Sequence, residues 1–110
     1  MKTYRQFHGD ILISEIGKEL REIVKLEKSA FKILTGYGST GGTSSSKHAA
    51  LKSLKNMKKQ GLIKGYCPGE VKNQLLTQTS PFLETKSLYE SVLKSDSDFG
   101  NDGIIFVFIK

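Results

Sequence analysis

The sequence predicts an α/β domain, and three observations predict it. Apolar stretches of strand length recur at residues 3–8, 31–34, 62–67 and 104–109, with aromatic and β-branched side chains that suit a pleated surface. Between the first three lie two stretches with apolar residues at helical spacing, giving strand, helix, strand, helix, strand in parallel βαβ order. A glycine-rich loop follows the second strand, where open α/β sheets place their ligands.

In chain order, residues 3–8 alternate Tyr4, Gln6 and His8 against Arg5 and Phe7, and Gly9 ends the strand. Asp10 or Ser14 can cap the following helix. Ile13, Ile16, Leu20, Ile23, Val24 and Glu27 share one face of that helix, placed at about residues 12–28 by its periodicity. Gly17 inside it costs about 1 kcal/mol against alanine unless close packing requires it. The second strand, 31–34, runs into Gly36, Gly38, Gly41 and Gly42, whose missing Cβ atoms let backbone approach a ligand. Ser44, Ser45 and Ser46 are natural caps for a helix over residues 46–60, ended by Gly61. Its apolar face is Ala50, Leu51, Leu54 and Met57, and Lys52, Lys55 and Lys59 share the other side.

Residues 62–67 read as a third strand, ended by Pro68 and Gly69. No assignment follows for 70–80, which is polar around Leu75 and Leu76. Ser80 and Pro81 start a further helix with Glu84 near the capping-box position, and Leu83, Leu88, Val92 and Tyr89 form its apolar side. Residues 95–103 are rich in turn formers. Residues 104–109 are apolar at every position, so that strand is buried on both faces or lies mid-sheet.

A chain of 110 residues makes a single domain, 1–110, with one core. Its 37% hydrophobic and 25% charged content excludes a disordered chain. No apolar run approaches a membrane span and no signal-peptide apolar segment is visible, so no membrane is expected. The single Cys67 excludes an intrachain disulfide and a cysteine-based metal site, and makes the cytoplasm the expected compartment.

Charge is unevenly distributed. Residues 28–69 hold eight lysines and no Asp or Glu, a charge of +8 against +6 for the whole chain, so the remainder is net negative by two. A one-signed segment that also carries a glycine loop points to phosphate as the partner. Parallel neighbouring strands would gather His8, Tyr37, the glycine backbone, Lys47 and His48 at one sheet edge. Gly36-x-Gly38-x-x-Gly41 matches a dinucleotide fingerprint by letter, but the acid needed about twenty residues on is absent until Glu70, and no Gly-Lys-Ser/Thr follows for a P-loop.

These residues resemble a known family. Phe7-His8-Gly9, a helix, then Ile33-Leu34-Thr35-Gly36-Tyr37-Gly38 and a second helix look like the Smr (small MutS-related) domain. Its signatures are Asp-Leu-His-Gly ending the first strand and Thr-Gly-x-Gly after the second. The resemblance covers residues 4 to about 67 and 103–110. It implies a two-layer α/β sandwich with a four-stranded mixed sheet and two main helices, similar to the C-terminal domain of bacterial translation initiation factor three. The region at about 69–102, longer than the family's usual connection, would be an insertion bearing an extra helix.

The resemblance also implies a DNA- or RNA-binding function, with endonuclease activity in several members. His8 then takes the catalytic position. Gly9, Thr35, Gly36, Tyr37, Gly38, Lys47, His48, Lys52, Lys55 and Lys59 form the nucleic-acid-binding set, and Mg²⁺ is the cofactor if the domain cleaves. No metal ligands are assigned. The chain departs from the family at Gln6, where the family carries Asp, and glutamine is neither charged nor a base. The alternative is a protein-interaction module without nuclease activity, pairing or self-associating through the apolar sheet face.

Overall fold

The computed structural model describes residues 1–9, 11–36 and 45–110. The alternation Phe31-Lys32-Ile33 sets the architecture, because successive side chains of a strand point to opposite faces. Phe31 and Ile33 belong to one buried cluster, while Lys32 pairs across the sheet with Phe106 of the other. These residues lie in β2 (Ala30–Leu34), between β1 (Lys2–Tyr4) and β4 (Ile104–Phe108), with β3 (Gly65–Pro68) beyond β4. β1 runs parallel to β2, and β4 runs antiparallel to both β2 and β3. β1, β2 and β3 therefore share a direction, but β4 separates β2 from β3. The sheet is mixed and four-stranded, as expected, and the second βαβ unit joins strands that are not neighbours.

The two main helices, α1 (Ile13–Leu26) and α2 (Ser45–Lys59), pack together over one face of the sheet. Ile16, Leu20 and Ile23 of α1 and Ala50, Leu54 and Met57 of α2 are buried against Phe31, Ile33, Ile105 and Val107. Burying a side chain of this size contributes about 1.5–3 kcal/mol. Gly17 lies where α1 meets α2: a Cβ there would stand 3.2 Å from Ser53 Oγ, so close helix packing explains the glycine. Glu27, at the end of the apolar helical face, accepts the Tyr4 hydroxyl at 2.6 Å. That hydrogen bond, with burial and the nearby negative charge, pushes the Tyr4 phenol up to about 12.

The opposite face is covered by residues 69–102. A 3₁₀ turn at Gly69–Asn73 is followed by two short helices, α3 (Leu83–Leu88) and α4 (Glu90–Ser95). Val71, Leu93 and Phe99 close over Cys67, Ile104, Phe106 and Phe108. All five residues of β4 are buried, so the centrally placed strand is satisfied on both faces within the chain. This corrects the expectation that the apolar sheet face could meet a protein partner or a second copy: Ile105 and Phe106 are each 0% exposed.

Four local expectations change. The first strand is only Lys2–Tyr4, because a turn follows in which the His8 N–H donates to the Arg5 carbonyl at 3.1 Å and Gly9 takes φ +101°. α1 starts after Leu12 with no side-chain cap; Ser14 is inside the helix and Asp10 lies outside the described residues. β3 begins at Gly65 rather than residue 62. The single tail helix is two, divided at Tyr89, whose ring stacks on Phe108 and whose hydroxyl donates to the Lys110 carbonyl at 2.8 Å. Leu88 and Val92 are exposed, and Thr85 and Leu93 are buried in their place.

Candidate nucleic-acid interface

The C-terminal ends of β1, β2 and β3 and the start of β4 define one edge of the sheet. At that edge Thr35 closes β2. Its N–H donates to the Gly103 carbonyl at 2.8 Å and its hydroxyl to the same oxygen at 3.3 Å, so the side chain is held and buried. The Gly36 N–H donates to Ser46 Oγ at 3.2 Å, tying the first loop glycine to the first turn of α2. The predicted Thr35-Gly36 corner is therefore joined directly to the helix N-terminus. Tyr37, Gly38, Gly41, Gly42 and Ser44 lie outside the described residues.

His8 and Gly9 follow the turn beyond β1. Phe7, beside them, is fully buried in the cluster under α1 and α2, which anchors this turn to the helical layer, while His8 itself is exposed. Gln6 donates its side-chain amide to Glu19 at 3.4 Å. His48 is exposed on α2 and lines an open depression with Ile13, Ser45, Ala49 and Lys52, between the beginnings of the two main helices.

Lys47 is placed differently from the surface residue its sequence position suggests. It is buried, and its ammonium donates to both Glu70 carboxylate oxygens, at 2.6 and 2.8 Å, and to the Asp102 carbonyl at 2.7 Å. Lys47 therefore ties α2 to the end of β3 and the approach to β4. Its charge is engaged inside the protein rather than offered to a ligand.

Lys32 behaves similarly on the other face of the sheet. Its ammonium lies 3.0 Å from Asp96 Oδ1 and 2.7 Å from Asp98 Oδ2. Burial pulls the Lys32 ammonium down, but the hydrogen bonds and charges of Asp98 and Asp96 outweigh it and hold the group above its ordinary value. Burial likewise pushes Asp96 up, and the Asp98 backbone N–H at 2.9 Å together with Lys32 outweighs that and holds it low. Two of the eight lysines in residues 28–69 are thus answered by acids from the tail. Glu70, Asp96 and Asp98 were not singled out from sequence. The signal for the latter two was a lysine set between apolar residues in a strand, which demands a buried counter-charge.

Lys52, Lys55 and Lys59 are exposed along α2, and no side-chain hydrogen bond or ion pair joins them to any described residue. They remain the accessible positive charge of the predicted set. Among the described residues no group of three His, Cys, Asp or Glu side chains could hold a metal ion. No helix of the described residues is long and apolar enough to cross a membrane. Comparison with protein-family models, with curated proteins and with solved structures finds no match.

Proposed function

We propose that this domain binds nucleic acid through its phosphate backbone, in the manner the Smr-like motifs imply. One observation carries the reading: Lys52, Lys55 and Lys59 stand exposed and unpaired on α2, while Lys32 and Lys47 are neutralised internally. Lysines with no internal partner gain most from phosphate, because they release the counterions that a strand carries. The α2 N-terminus, beside Thr35 and Gly36, adds the positive end of the helix dipole at the same edge. The expected compartment is the cytoplasm, where a single buried thiol such as Cys67 stays reduced.

The test is a triple Lys52→Gln, Lys55→Gln, Lys59→Gln variant, compared with the native protein by fluorescence anisotropy on RNA and DNA oligonucleotides. Loss of binding without loss of fold supports the reading, and unchanged affinity refutes it.

A second reading, phosphodiester cleavage, is favoured by the exposed imidazole of His8. An imidazole can move a proton to or from a reacting oxygen. Gln6 supplies no carboxylate to orient it. Native protein and His8→Ala are compared on RNA and supercoiled plasmid, with and without Mg²⁺. Cleavage abolished in the variant supports this reading, whereas equal cleavage in both assigns it to a contaminant.

A further inference from the structure

At the far end of α2, Lys55, Lys58 and Lys59 surround an open depression of about 330 Å³ whose other walls are Tyr66 of β3 and Pro81 from the insertion. We propose that this depression is a second phosphate-binding station. It takes one or more phosphate groups of a strand, or of a free oligophosphate, between the three ammonium groups and the Tyr66 hydroxyl. As a station on a nucleic-acid strand it rests on the function proposed above; as an oligophosphate site it stands without it.

Four observations carry the inference. First, three lysines from two adjacent helical turns line one concavity, whereas lysines on an ordinary solvated face point apart. Second, none of the three ammonium groups makes a hydrogen bond or ion pair with any described residue, although Lys32, Lys47, Lys86 and Lys94 all do.

Third, Tyr66 is only 4% exposed and its ring packs edge-on against Phe82 with centroids 5.6 Å apart. Its hydroxyl nevertheless has no partner among the described residues, and it is not sealed from solvent. A nearly buried phenol whose O–H has no described partner, on a depression that three lysines also line, is a ready donor to an anion. Fourth, the negative end of the helix dipole accounts for basic residues in the last turn, such as Lys58 and Lys59. It does not account for a concave wall supplied by a tyrosine and by a proline from a different part of the chain.

The position sets the ligand's length. α2 rises about 1.5 Å per residue, so the station at Lys55–Lys59 lies about 14–20 Å along the helix from the Gly36–Ser46 corner. At about 3.4 Å of axis per nucleotide, a stacked strand of about four to six nucleotides reaches from one to the other.

Two probes test the proposal: inorganic tripolyphosphate by calorimetry, and a single-stranded oligonucleotide of about twelve nucleotides by anisotropy across a salt series. The variants are Lys55→Gln/Lys58→Gln/Lys59→Gln and Tyr66→Phe, which keeps the ring and its packing on Phe82. Lys18→Gln/Lys25→Gln on exposed α1 positions is the charge control, and thermal melting checks that each variant is folded. The triple variant is expected to lose at least about tenfold in tripolyphosphate affinity, and Tyr66→Phe a few-fold. With the oligonucleotide, the salt slope should fall by about one per lysine removed.

Tripolyphosphate binding that the triple variant loses, in a protein that ignores the oligonucleotide, supports the station with free oligophosphate as its source and rejects the nucleic-acid function. Oligonucleotide binding that falls equally in the triple variant and the α1 control overturns the station and confines any nucleic-acid function to the Lys52 end of α2, which the Lys52→Gln variant alone then tests. A native protein that binds neither probe overturns both.

Discussion

The ammonium of Lys47 lies 2.6 and 2.8 Å from the two carboxylate oxygens of Glu70, in a side chain that is 7% exposed against 33% for its partner. The pair joins the first turn of α2 to the 3₁₀ turn that follows β3, and a third bond to the Asp102 carbonyl reaches the approach to β4. Three segments distant in sequence are thereby fixed around one edge of the sheet. The N-terminal turn of α2 is held by an internal charge pair.

Breaking that pair from the acidic side takes the carboxylate charge away from a buried ammonium. Glu70→Gln is expected to destabilise the domain by about 1–3 kcal/mol, at the lower part of the range for buried pairs because Glu70 is partly exposed. Urea unfolding of the native and variant proteins measures it. Lys47→Met combined with Glu70→Gln should recover part of the loss, since no uncompensated charge then remains buried.

The Lys32–Asp96–Asp98 cluster predicts a pH dependence with two limbs. The Asp96 carboxyl is held below its ordinary 3.8, so its contribution is present above that value and is lost as pH falls through the lower folded pKa. The Lys32 ammonium is held above its ordinary 10.5, so its contribution is complete below that value and is lost as pH rises through the higher folded pKa. Stability should therefore fall on acidification below about pH 4 and again above about pH 10. Asp96→Asn should flatten the acid limb and cost about 1–3 kcal/mol at neutral pH. Thermal melting across pH checks both, and an unchanged acid limb would remove Asp96 from the account.

Leu93 tests whether residues 69–102 are an integral part of the fold. It is fully buried and is the only fully buried residue that α4 contributes to the second cluster. Leu93→Ala should cost about 2–5 kcal/mol in global unfolding. A single cooperative transition at lower denaturant is expected, because Leu93 packs with Phe106 and Phe108 of the central strand. Separate unfolding of residues 69–102 with an unperturbed remainder would contradict this.

Much of this architecture was legible because the sequence periodicities are strong. The α1 face, the α2 face and the uniformly apolar β4 each appear where their spacing puts them, within one to three residues at the ends. The two-sided burial of β4 follows from having no polar residue at either register. What escaped was set by long-range contacts. Phe7 sits outside any strand, yet it is buried, because the turn at Arg5–His8 aims it under α1 and α2. The break at Tyr89 has no local glycine or proline; its ring is anchored on Phe108, nineteen positions away.

The 3₁₀ turn at Gly69–Asn73 carries little pattern of its own. Its carbonyl at Val71 is met by the Lys86 ammonium at 2.6 Å, from a helix more than a dozen residues on. In the candidate site, the Thr35-Gly36 corner and the exposed lysine row were readable from residue type. The burial of Lys47 was not, because its partner Glu70 is the first acid beyond a segment that has none.

The most direct measurement is the affinity of the native domain for labelled single-stranded RNA and DNA between about 50 and about 200 mM salt. The account predicts that the logarithm of the binding constant falls linearly with the logarithm of salt, with a slope of about −2 to −4, as expected for a few lysine–phosphate contacts. No binding at the lowest salt, or binding that salt does not change, would contradict it.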